Sequence, residues 1–123
     1  MEVNADKLNA FALLVEYVLL ENLKADRVDC ESNRRNCITT VKLGKTWAKI
    51  DATGRGCYMV ALVDSAALGV KAGEIVGIKA YGVPHPGHRY GTLDDPRIPR
   101  MRSLRDGLTL QVLKQMQTVA AHA

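Results

Sequence analysis

Two gaps in this sequence are too short for anything except a hairpin. "CITTVKL" (37–43) and "TWAKI" (46–50) are separated by Gly44-Lys45, and "TWAKI" and "CYMVALV" (57–63) by the turn-forming stretch Ala52-Thr53-Gly54-Arg55-Gly56. Each segment is rich in the β-branched and aromatic residues that suit a pleated surface. A parallel return needs about a dozen residues, so these segments must be antiparallel neighbours. A fourth, "EIVGIKAY" (74–81), comes after a longer connection from Asp64 to Gly73. Its alternation puts Val76, Ile78 and Ala80 on one face and Ile75, Lys79 and Tyr81 on the other. Gly77 falls on that second face, where a missing side chain admits a close neighbour. "CYMVALV" is apolar on both faces, as suits a central strand covered by a helix.

Residues 5–24 carry the other period. Leu8, Phe11, Leu14, Val15, Val18 and Leu19 recur at helical spacing, Asn4 can cap the start, and Asp6 suits its positive end. The polar stretch 26–36 reads as a loop or a short edge strand. After "DDPRIPRMR" (94–102), whose prolines interrupt regular structure, Ser103 and Asp106 resemble a capping box. Leu104, Leu108, Val112, Met116 and Val119 then predict a second amphipathic helix, to about residue 120. The expected fold is α+β in one domain, 1–123: an N-terminal helix, an antiparallel meander of four to five strands, and a C-terminal helix.

Charge is unevenly placed. From Lys79 to Arg105 six basic residues face two acids, while the rest of the chain balances eleven against eleven. Five of those six cations are arginines, whose planar forks match phosphate or carboxylate. A localised basic stretch points to an anionic partner. The three cysteines, Cys30, Cys37 and Cys57, are expected to be reduced thiols. "MEVNADKLNA" lacks the features of a secretory signal and no apolar run reaches membrane-spanning length, so a cytoplasmic location is expected.

The segment Tyr81–Asp95 is the first candidate site, read as a loop stiffened by Pro84 and Pro86. Tyr81 can stack on a nucleobase. Arg89, the backbone around Gly91, and Thr92 can meet phosphate oxygens, with Lys79, His85 and His88 beside them. Arg102 and Arg105, three apart at the start of the predicted second helix, supply the other half of a phosphate site. The alternative is a structural loop in which Tyr81 and Tyr90 cover the edge of the core. His85 and His88 form an HxxH pair, yet no CxxC accompanies it, so neither a metal nor any other cofactor is expected. Ser65 and Ser103 lack the flanks of a nucleophile, Cys57 opens a buried strand, and Asp94-Asp95 are adjacent and diverge. With no phosphate-cradling glycine motif either, the chain is expected not to be an enzyme.

The stretch "GEIVGIKAYGVPHPGHRYGTLDD" (73–95), preceded by "GRGCYMV" (54–60), resembles the phage anti-Thoeris signal sponges, which sequester a cyclic ADP-ribose isomer. That resemblance implies a non-catalytic homo-oligomer, a dimer or a dimer-based higher assembly, with ligand pockets between protomers. It implies an aromatic on adenine, matched by Tyr81, and ribose and pyrophosphate held by Gly91-Thr92 and by Arg105 or Arg102. A second anion site for cyclic oligonucleotides is assigned in the same way to Arg34, Arg35 and Arg55. The competing expectation is a small nucleic-acid-binding or protein-interacting phage factor, with the 89–105 arginines on phosphates.

Overall fold

A computed structural model describes residues 2–98. The first element is helix α1, Ala5–Ala25, capped by Asn4, whose side-chain Oδ1 accepts from the Lys7 N–H at 2.9 Å. Five strands come after a short second helix: β1 (Thr39–Leu43), β2 (Trp47–Ala52), β3 (Arg55–Ala61), β4 (Glu74–Ala80) and β5 (Val83–Thr92). They lie in one antiparallel sheet in the order β1-β2-β3-β4-β5. The helix-then-meander expectation is borne out. The predicted C-terminal helix lies outside the described residues.

One sheet face packs on α1. Leu8, Phe11, Ala12, Leu14, Val15 and Val18 meet Ala48, Ile50, Val60, Ile75, Leu93 and Ile98 in a single core. Polar bonds fix the helix on the sheet: the Thr39 N–H donates to Glu16 Oε1 at 2.9 Å, and its hydroxyl to the Ala12 carbonyl at 2.7 Å. The opposite face has its own smaller cluster of Met59, Ala61, Val70 and Val76, with Trp47 and Ile78 packed against it. So β3 is buried on both sides, as its doubly apolar pattern requires.

Strand ends shift by a residue or two, β3 running from Arg55 to Ala61, and the boundaries differ more substantially from the sequence reading in three places. Residues 31–35 form a short helix, α2 (Glu31–Arg35), with Glu31 in its first turn and Arg34 and Arg35 in its last, a charge order that suits the helix dipole. Cys37 and Ile38 belong to the turn after α2, each N–H donating back to an Arg34 or Arg35 carbonyl, so β1 begins at Thr39. The largest correction concerns 83–92. This segment is not a loop but β5, paired with β4 through three register shifts. Its prolines are tolerated because β5 is an edge strand, where a missing N–H costs no ladder bond on the open side.

A bulge between β2 and β3 opens the sheet face turned away from α1. Ile50 pairs with Tyr58 and Asp51 with Gly56, leaving Cys57 as the extra residue on β3. Cys57 and Tyr58 both turn toward the α1 core. Opposite Asp51 there is then only a glycine, and β3 itself supplies no side chain to the far face at that point.

Candidate functional site

Tyr81 stands at the two-residue turn between β4 and β5, and its ring folds back over β2 instead of into the core. It is 58 % exposed. Lys49 Nζ lies 5.0 Å and Lys42 Nζ 5.9 Å from the ring centroid, within cation–π range. The Tyr81 hydroxyl accepts from Lys42 Nζ at 3.2 Å and donates to Asp51 Oδ2 at 3.1 Å. Lys42 and Asp51 themselves approach to 3.6 Å. The bond to Tyr81, then the charges of Tyr81 and Asp51, push the Lys42 ammonium above its ordinary 10.5, so Lys42 stays charged at neutral pH.

This grouping arises from register. Along β1 and β2, alternation puts Thr40 and Lys42, and Lys49 and Asp51, on one face, and the hairpin pairs Lys42 with Lys49 and Thr40 with Asp51. Gly56 completes it: a Cβ there would stand 2.8 Å from Ile78 Cδ1 and 3.7 Å from Tyr81 Cδ2. A Cβ at Gly56 would therefore displace the end of Ile78, while the Tyr81 ring lies across the bulge at ordinary van der Waals distance from that point. Beside the ring is a cavity of about 520 Å³ lined by Ile38, Thr40, Lys42, Asp51, Thr53, Arg55 and Tyr81, together with Ala52 and Gly54. It offers a ring face, two cations, two hydroxyls and a carboxylate. That set suits a ligand with a flat base and anionic groups.

The other predicted residues are distributed differently. Arg89 does not join Tyr81. Its Nη1 donates to Glu74 Oε2 at 2.7 Å, its Nη2 to the Gly69 carbonyl at 2.7 Å, and its Nε to the Pro86 carbonyl at 3.0 Å. A guanidinium so engaged clamps β5 to β4 and to the 64–73 connection, and is not a free phosphate fork. Arg89→Ala is therefore expected to cost about 1–2 kcal/mol of stability, discounted for the exposure of the pair, and to leave ligand affinity nearly unchanged. Urea unfolding and a binding isotherm on the same variant check both halves.

Gly91 and Thr92 likewise build structure. Gly91 has φ +80°, and a Cβ there would collide with the Asp95 carbonyl. The Thr92 N–H donates to the Asp95 carbonyl at 3.2 Å, while its hydroxyl oxygen accepts from the Asp95 N–H at 3.2 Å. The expected backbone cradle for phosphate is thus closed on itself as a turn.

His85 and His88 are in a strand, not a loop, with ring centroids 4.1 Å apart. Desolvation, the neighbouring His88 and the charge of Lys79 hold His85 below the ordinary 6.5. The structure thus brings Lys79, His85 and His88 together, apart from the contacts of Tyr81. Removing the Lys79 charge favours the protonated imidazole, so Lys79→Ala should raise the His85 midpoint toward 6.5 in a proton NMR titration. Tyr90 packs edge-on against Tyr58 at 5.2 Å and lies over Gly77, covering the core edge.

Of the second arginine group, Arg55 lines the Tyr81 cavity, whereas Arg34 and Arg35 line a separate one with Glu16, Leu20, Glu31 and Ile38. Arg34 is also paired with Asp29 at 3.0 Å. Arg102 and Arg105 lie outside the described residues. All three thiols are free, Cys30 exposed and lowered by its bond to Ser32, Cys37 and Cys57 raised by burial. No group of three or more metal-ligating side chains occurs among the described residues. No helix among them is long and apolar enough to cross a membrane.

Comparison with known proteins finds no family model, no curated relative and no solved structure that matches this chain.

Proposed function

We propose that this chain is a phage anti-defence binding protein that sequesters a cyclic nucleotide immune signal, a cyclic ADP-ribose isomer, without degrading it. One observation carries the reading: an exposed tyrosine ring, flanked by two ammonium groups and pinned through its hydroxyl, beside a cavity of about 520 Å³. Adenine stacks on Tyr81, worth about 1–3 kcal/mol. The pyrophosphate meets Lys42 and Arg55, the two cations of the cavity lining, each charge-assisted bond adding about 1.5–3 kcal/mol before ordering costs. Thr40 supplies a hydroxyl for ribose, and Thr53, whose hydroxyl donates to the Arg35 carbonyl at 3.2 Å, supplies an acceptor.

The protein acts as a homo-oligomer in the cytoplasm of the infected cell, built on dimers. Closure by a second copy strengthens ion pairs that are weak when wet. Arg102 and Arg105 remain in the proposal as the C-terminal arginines of the pocket.

Native mass spectrometry after incubation with cyclic ADP-ribose tests capture and assembly together. The expected result is an oligomer carrying the ligand at unchanged mass. A ligand returned with altered mass contradicts capture, and a monomer contradicts the assembly. Affinity should also fall only gently with salt; a steep slope would mark counterion release and transfer the arginines to a nucleic-acid backbone.

A further inference from the structure

Among the described residues, one oxygen of a buried carboxylate that lines the cavity has no donor. Asp51 is the one charged residue among the described residues that is buried, 5 % exposed. Its Oδ2 is engaged, accepting from the Tyr81 hydroxyl and facing Lys42. Its Oδ1 lies against Gly56, 3.6 Å from where a Cβ would stand, and no hydrogen bond among the described residues reaches it. An ionised carboxylate only accepts, and buried polar atoms are nearly always satisfied, so the free oxygen calls for a donor. The described residues offer none, and Asp51 lines the cavity. A purely anionic occupant would set negative charge against this carboxylate. A ligand with an N–H or O–H beside its phosphates would satisfy it.

We propose that Asp51 Oδ1 accepts a hydrogen bond from the ligand's base N–H or a ribose hydroxyl, so that the site selects a ribonucleotide over a bare polyphosphate. This rests on the reading of the cavity as a nucleotide site. Tyr81 and the cations then supply affinity for base and phosphate, and Asp51 supplies selectivity. A site built to receive a donor discriminates strongly against analogues that lack it, because the buried acceptor is left unpaired.

Calorimetry with cyclic ADP-ribose and with a dimethyl-esterified pyrophosphate, one methyl on each phosphorus so that no P–OH donor is left at neutral pH, tests this on the full chain. The wild type should prefer the nucleotide by at least roughly tenfold, and Asp51→Asn should bring that ratio down by about tenfold. Affinity for the pyrophosphate ester should hold or rise in the variant, since a negative charge has gone. An unchanged ratio in Asp51→Asn would overturn the proposal. If the variant does not fold, two analogues on the wild type decide instead. One is cyclic inosine diphosphate ribose, with a carbonyl in place of the base N–H; the other is a cyclic ADP-ribose lacking all four ribose hydroxyls. Loss of affinity with one of them supports the proposal and names the donor; parent-like affinity with both overturns it. Failure of the wild type to bind cyclic ADP-ribose at all defeats the nucleotide reading itself, and this inference with it.

Discussion

Phe11→Ala is expected to destabilise the protein by about 3–5 kcal/mol. Phe11 is fully buried at the centre of the α1 face, edge-on to Tyr58 at 5.8 Å, and Tyr58 is in turn edge-on to Tyr90. Its ring therefore joins α1 to β3 and, through Tyr58 and Tyr90, to β5. Removing it deletes a large apolar contact and leaves a cavity among aliphatic neighbours that the two-layer arrangement cannot fully close. For a chain of this size the melting temperature should fall by on the order of 10–20 °C. Thermal unfolding by circular dichroism reads this directly. A fall of only a degree or two would mean that α1 is not the element that closes the core.

Tyr81→Ala is expected to do the reverse. With the ring more than half in water, little burial is lost, and the melting temperature should move by a few degrees at most. Capture of cyclic ADP-ribose should weaken at least tenfold, about 1.4 kcal/mol or more, because the stacking surface goes and Lys42 and Asp51 lose their shared partner. Tyr81→Phe separates the two contributions. It keeps the ring but releases the hydroxyl from Lys42 and Asp51, so its affinity should fall between those of the wild type and the alanine variant. Normal binding by Tyr81→Ala, measured by calorimetry, would place the pocket elsewhere.

These two variants divide the molecule as its sequence does. Two-residue periodicity and short gaps suffice for the meander, because hairpin connectivity leaves a strand no other neighbour. The α1 stripe is equally legible. The fifth strand is hidden: in "VPHPGHRYGT" glycine and proline erase the alternation, and only the edge position of β5 makes such a strand possible.

The site divides in the same manner. Tyr81 is legible as an aromatic at a strand end in a chain with few of them. Lys42, Lys49 and Asp51 escape the sequence reading, although strand alternation and the first hairpin place them on one face. Gly56 is still harder to see, since its role depends on a bulge that no spacing in "GRGCYMV" announces. Arg89 illustrates the opposite failure. Its neighbours in sequence suggest a free cation, but the carbonyls that engage it include that of Gly69, twenty residues earlier. Local pattern shows which side chains share a face; it does not show which distant backbone consumes a donor.

The most direct test tracks side-chain and amide signals by NMR as cyclic ADP-ribose is added to the wild type. The Tyr81 ring and the amides of Thr40, Lys42, Thr53, Gly54 and Arg55 should move together and saturate with one affinity. A ligand that binds while those signals stay still, shifting instead the Lys79, His85 and His88 group or no described residue, would contradict the assignment of this cavity.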